Sequence, residues 1–76
     1  MDEKIKKLYD ELNERKEGLL EVFADEKEEL LRLISGMGYN KMLNLTNYND
    51  YTKIMNIAKE IEEIDVKLRT LRALVQ

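Results

Sequence analysis

The chain has 76 residues, a net charge of −3, and no Cys, His or Pro. Lacking Cys and His, it has no disulfide and no thiolate or imidazole ligand, which nearly excludes a structural zinc site and leaves carboxylates as the only metal donors. One domain, 1–76, is expected, and a domain this short buries only ~60% of its unfolded surface. Oligomerisation or well-packed long helices must then supply the missing stability.

Charged residues make up 38% of the chain, with abundant Ile, Leu, Lys and Glu, and glycine occurs only at Gly18, Gly36 and Gly38. That composition belongs to long helices and coiled coils. No 18-residue apolar run is present, and the chain opens Met1-Asp2-Glu3-Lys4. Neither a membrane span nor a signal peptide is expected, and the location expected is cytoplasmic. Residues 1–34 carry a net charge of −4 and residues 35–76 carry +1. Nucleic-acid binding needs a basic face that releases counterions, so no direct nucleic-acid partner is expected.

The first helix is expected at about 3–35. Ile5, Leu8, Leu12, Leu19, Phe23, Leu30 and Ile34, joined by Lys16 and Lys27, are spaced 3, 4, 4, 3, 4, 4, 3, 4, an 11-residue period. Such a period suits a nearly straight helix, with the lysine stems lying along the seam. Leu19-Leu20, Val22-Phe23, Leu30-Leu31 and Leu33-Ile34 widen the stripe, which points to more than one neighbouring helix. Gly18 costs ~1 kcal/mol against Ala but does not end a helix. A second parse breaks the helix near Ala24-Asp25, with Asp25 as N-cap and Glu28 completing a capping box.

A connector is expected at 36–49. Gly36 and Gly38 offer a left-handed stop. Asn40, Asn44, Asn47 and Asn49 favour turns and caps. A structureless connector of this length is unusual, so a short helix at 39–45 burying Met42 and Leu45 is one solution.

The second long helix is expected at about 50–75, capped by Asn49 or Asp50. Ile54, Ile57, Ile61, Ile64, Leu68, Leu71 and Val75 are spaced 3, 4, 3, 4, 3, 4, an unbroken heptad seam. Ile at both core positions disfavours a simple parallel dimer. Acid-to-base pairs at i,i+4 (Glu3–Lys7, Glu11–Arg15, Glu28–Arg32, Glu63–Lys67, Asp65–Arg69) add ~0.2–0.5 kcal/mol each to the helices. The fold expected is an all-α antiparallel helical hairpin, dimerising into a four-helix bundle. Helix–helix contacts are assigned to Leu19, Phe23, Leu30, Ile34, Ile54, Ile57, Ile61, Ile64, Leu68, Leu71 and Val75. Because the two seams have different periods, close packing is expected near the connector and divergence toward the termini. Leu68, Leu71 and Val75 would then turn partly to another helix.

Tyr39, Tyr48 and Tyr51 cluster around the connector with Lys41, Asn44 and Asn47. Tyrosine gives large contact area at low entropic cost, so this tip is read either as tyrosines packed across a loop or as a surface that recognises another protein. Glu26/Glu29 and Glu62/Asp65 have ExxE and ExxD spacing, which puts two carboxylates on one helix face, as a Mg²⁺ site needs. The spacing resembles that of all-α nucleotide pyrophosphatases; the plain alternative is a solvated acidic face, and a third is mimicry of nucleic acid.

Ala58-Lys59-Glu60-Ile61-Glu62 resembles the Ser-Gln-Glu-Leu-Asp stretch of the small helical-hairpin phosphatases that act on sporulation response regulators. Glu60 is the identical residue, and the resemblance would put the acidic catalytic role on Glu62. Nucleophilic catalysis has no histidine base here, and no Ser sits in a motif. The expected function is therefore non-enzymatic: no cofactor, no metal, and a helical module that binds another protein as a small regulator or inhibitor. A bacterial or phage setting is analogy with proteins of this shape. The alternatives are a structural coiled-coil subunit and a carboxylate–magnesium phosphohydrolase or response-regulator phosphatase.

Overall fold

A computed structural model describes residues 3–45 and 48–75, with side-chain burial given up to residue 74. Three helices follow in chain order: α1, Glu3–Ser35; α2, Tyr39–Met42; and α3, Asn49–Val75. The described residues contain no strand. α1 runs through Ala24 and Asp25 without a break. α1 and α3 pack antiparallel into a hairpin 54 × 18 × 16 Å.

The half-buried seam residues of α1 fall at Ile5, Tyr9, Leu12, Lys16, Leu19, Phe23, Glu26, Leu30 and Leu33, with Asn13 and Ile34 half-buried beside them. The seam spacings alternate 4 and 3, which is a heptad and not the 11-residue period expected from the apolar residues with Lys16 and Lys27. Leu8 and Lys27 are exposed, and Tyr9 and Glu26 take their places on the seam. The reason lies across the interface. The Arg72 guanidinium donates to the Tyr9 hydroxyl at 3.1 Å, and Lys53 Nζ lies 2.8 Å from a Glu26 carboxylate oxygen. Lys16 Nζ likewise meets Asp65 at 2.5 Å. Lys27 instead sets its ammonium 5.9 Å from the centroid of the Phe23 ring, closing off that half-buried residue.

With both seams on a 3.5-residue period, the helices stay in register and the expected divergence toward the termini does not occur. Leu68 is only 4% exposed, and the Tyr9–Arg72 bond holds the terminal end together. The core consists of Ile54, Ile64 and Leu68. No residue of α1 is fully buried. Leu19, Phe23, Leu30, Ile34, Ile57, Ile61 and Leu71 are half-buried, and the Val75 side chain lies outside the described set.

The expected i,i+4 pairing of the arginines gives way to other partners. Arg15 crosses to Glu60, Arg32 bonds Glu29 at 2.6 Å, and Arg69 reaches Glu62 and the Asp65 carbonyl, both at 3.4 Å. The Asp65 carboxylate is free to pair with Lys16 because Arg69 has turned to its backbone.

The turn out of α1 also differs from expectation. No described residue has positive φ, so α1 does not end in a left-handed glycine. The Met37 amide instead donates to the Ile34 carbonyl at 3.0 Å, and Gly38 is extended (φ −79°, ψ 169°) as the N-cap of α2. α2 is shorter than the 39–45 segment expected, and Met42 is exposed while Leu45 is half-buried. The α3 N-cap is neither Asn49 nor Asp50. Its first turn opens on the Tyr48 carbonyl, which accepts from the Thr52 amide at 3.2 Å, so Asn49 and Asp50 lie inside that turn. The negative charge of Asp50 there favours the positive end of the helix dipole.

The Glu26–Lys53 pair makes a testable statement about pH. Hydrogen bonding first, then Coulomb attraction to Glu26, holds the Lys53 ammonium above its ordinary value of 10.5. A raised folded-state pKa contributes stability that is complete below the unfolded value and is lost as pH rises through the folded one. Lys53→Met should therefore lower Tm near neutral pH, and its gap from the parent should close in strongly alkaline solution. A gap that persists unchanged there would assign the effect to the lysine's methylenes and not its charge.

Candidate functional site

The connector end of the hairpin divides the six residues assigned to the tip. Tyr39, Lys41 and Asn44 are exposed, and Tyr48 and Tyr51 are half-buried. Asn47 lies outside the described residues. Tyr48 and Tyr51 thus pack into the start of α3, and of the three tyrosines only Tyr39 projects freely.

Tyr39 is 86% exposed and Leu43 is 82% exposed. The Leu43 amide donates to the Tyr39 carbonyl at 3.2 Å, which places the two side chains one helical turn apart on one face. Met42, exposed beside them, adds a third apolar side chain. The Asn44 amide group donates to the Asn40 carbonyl at 3.4 Å and the Lys41 amide donates to the Asn40 side-chain oxygen at 3.0 Å, holding this short turn in shape. The result is an apolar wedge rimmed by Lys41 and asparagine amides. Leu43 and Met42 were not among the tip residues expected from sequence. The i,i+4 spacing of Leu43 from Tyr39 is the signal that marks it.

The body of the hairpin has two unlike flanks near the termini. One is an apolar groove lined by Leu8, Leu12, Val66, Lys67, Thr70 and Leu71. Along α1 a separate shallow depression is lined by Glu11, Glu14, Arg15, Gly18, Leu19 and Val22. The other flank is polar, with Asn13, Lys16, Asp65, Arg69 and Arg72 around Leu68. Arg72 both bonds Tyr9 and draws its hydroxyl pKa below the usual 10.0, chiefly through that hydrogen bond.

The carboxylates singled out for metal chemistry are each engaged by a cation. Glu26 meets Lys53, Glu29 meets Arg32, Glu62 meets Arg69, and Asp65 meets Lys16. Glu60 of the phosphatase-like stretch meets Arg15. Among the described residues no group of three or more acidic side chains is placed to hold a metal ion, and no helix is long and apolar enough to cross a membrane. Comparison with family models, curated proteins and solved structures gives no match to this chain.

Proposed function

We propose that this chain is a non-enzymatic helical interaction module, a small cytoplasmic regulator or inhibitor that inserts its tip into an apolar pocket of another protein. The observation that carries this reading is the pair Tyr39 and Leu43, both more than four-fifths exposed at the connector end of the hairpin. Neither side chain belongs to the core of the described residues. Aromatic and aliphatic side chains on a preorganised turn are what a binding hot spot is made of. The acidic α1 makes a protein a better partner than nucleic acid.

Replacing Tyr39 and Leu43 together by Ala should weaken capture of the host partner by about 30-fold or more, the loss expected of a hot spot. Far-ultraviolet circular dichroism should be unchanged, because neither side chain is buried. Undiminished capture by the double variant would remove the tip from consideration.

A second reading, a self-associating structural subunit, is favoured by the small core: only three described residues are fully buried, all in α3. The magnesium phosphohydrolase and response-regulator phosphatase readings are the weakest, since their carboxylates are already committed to ion pairs.

A further inference from the structure

We propose that the flank carrying Leu8, Arg15, Gly18 and Val22 is the self-association surface, on which α1 of a second copy lies antiparallel with the two-fold axis passing near Arg15. This rests on the self-association reading and is independent of the tip.

The elongated hairpin has surface enough for such a partner. The chain exposes 6062 Å². A compact monomer of 9.0 kDa exposes about 4,900 Å². The excess, roughly 1,200 Å², is more than the ~800 Å² that each partner contributes to a standard interface. The two-fold arrangement explains the choice of flank. Among the described residues this side of the terminal half, with Leu8, Leu12, Val66 and Leu71, is the more apolar, the other being lined by Asn13, Lys16, Asp65, Arg69 and Arg72 around Leu68.

The residues along it match themselves in reverse. With the axis at Arg15, Leu8 falls opposite Val22 of the second copy, and Leu12 opposite its Gly18. Arg15 comes beside Glu14 of the second copy. The observed Lys16–Asp65 pairing sets the same axis near residue 65 of α3, where Glu63 then falls opposite Lys67 of the second copy.

Gly18 supplies an independent observation. A Cβ built there meets nothing within 4 Å, so the single hairpin has no use for a glycine in mid-helix. Across the proposed axis Gly18 faces Leu12 of the second copy, where the missing side chain lets two helices approach. The overlap covers residues 3–27 of each α1, about 36 Å at 1.5 Å per residue. Both tips, with Tyr39 and Leu43, stay free at opposite ends of the pair.

Sedimentation equilibrium of the full chain should show a dimer at micromolar concentration. Leu8→Glu with Val22→Glu should weaken it about a hundredfold or more. Gly18→Ala should also weaken it, although alanine is the better helix former and would stabilise a lone hairpin. The chain has no cysteine, so single-cysteine variants are clean probes. Arg15→Cys should cross-link to itself rapidly with a short bis-maleimide and Arg69→Cys should not, a readout that holds even if the double-Glu variant unfolds. A monomeric parent chain would overturn both this proposal and the self-association reading. A dimer indifferent to the double-Glu change, tightened by Gly18→Ala, or cross-linked as readily through Arg69→Cys would overturn this face alone.

Discussion

Leu68→Ala and Ile64→Ala should each cost ~2–5 kcal/mol, the range for truncating a buried aliphatic side chain. Both residues are 4% exposed and form the core with Ile54. A chain of this size is held by roughly 4–11 kcal/mol in all, at 0.05–0.15 kcal/mol per residue. Either change therefore removes a large share of the total. For a domain of 60–100 residues each kcal/mol shifts Tm by ~4–8 °C, so a fall of about 10 °C or more is expected in thermal melts at one fixed protein concentration. Leu19→Ala, at a half-buried seam position of α1, should cost distinctly less. Equal losses at Leu19 and Leu68 would mean that α1 is as deeply covered as α3 in solution, and the single hairpin would no longer describe the folded unit.

The second large effect concerns the polar seam. Lys16 and Glu26 occupy heptad positions that an uninterrupted coiled coil would give to leucine. Their partners Asp65 and Lys53 reach solvent, with side chains 33% and 60% exposed, so neither is stranded when its mate is removed. Replacing both Lys16 and Glu26 by Leu should raise stability by about 1–4 kcal/mol, as when partly buried ion pairs give way to packed apolar side chains. The gain should cost specificity. Without Lys16–Asp65 and Glu26–Lys53 to fix which turns of α1 and α3 face each other, alternative registers and assembly states become accessible. Thermal melting and sedimentation velocity on the same sample separate the two effects: a higher Tm with a broadened or mixed species distribution is the expected result. A lower Tm would show that the ion pairs are net stabilising. A higher Tm with one unchanged species would show that register is set by the apolar residues alone.

These two cases mark where sequence and structure part company. The α3 seam was legible because each heptad position from Ile57 to Leu71 holds Ile or Leu with no equally apolar neighbour one residue away to confuse it. The α1 seam was not. Leu8 stands beside Tyr9, Glu26 beside Lys27, and Leu33 beside Ile34. Reading hydrophobicity alone selects Leu8 over Tyr9 and loses the period. Tyr9 and Glu26 join Lys16 on the seam because each has a partner across it, and a partner 27 or more positions along the chain is invisible to local pattern. The tip shows the same division. The tyrosine cluster marked the connector, but Tyr48 and Tyr51 turn partly inward while Leu43 turns outward, and only the course of the turn decides which.

Sequence by itself determined two long helices, a connector between them, and an apolar heptad seam along α3. These follow from helix propensity, periodicity and the absence of proline, all local properties of the backbone. Tertiary structure alone decided that both helices share one 3.5-residue period, that polar pairs set their register, and which flank of the hairpin remains apolar and open. Those outcomes depend on which side chains meet across the interface, and that is a property of two segments together.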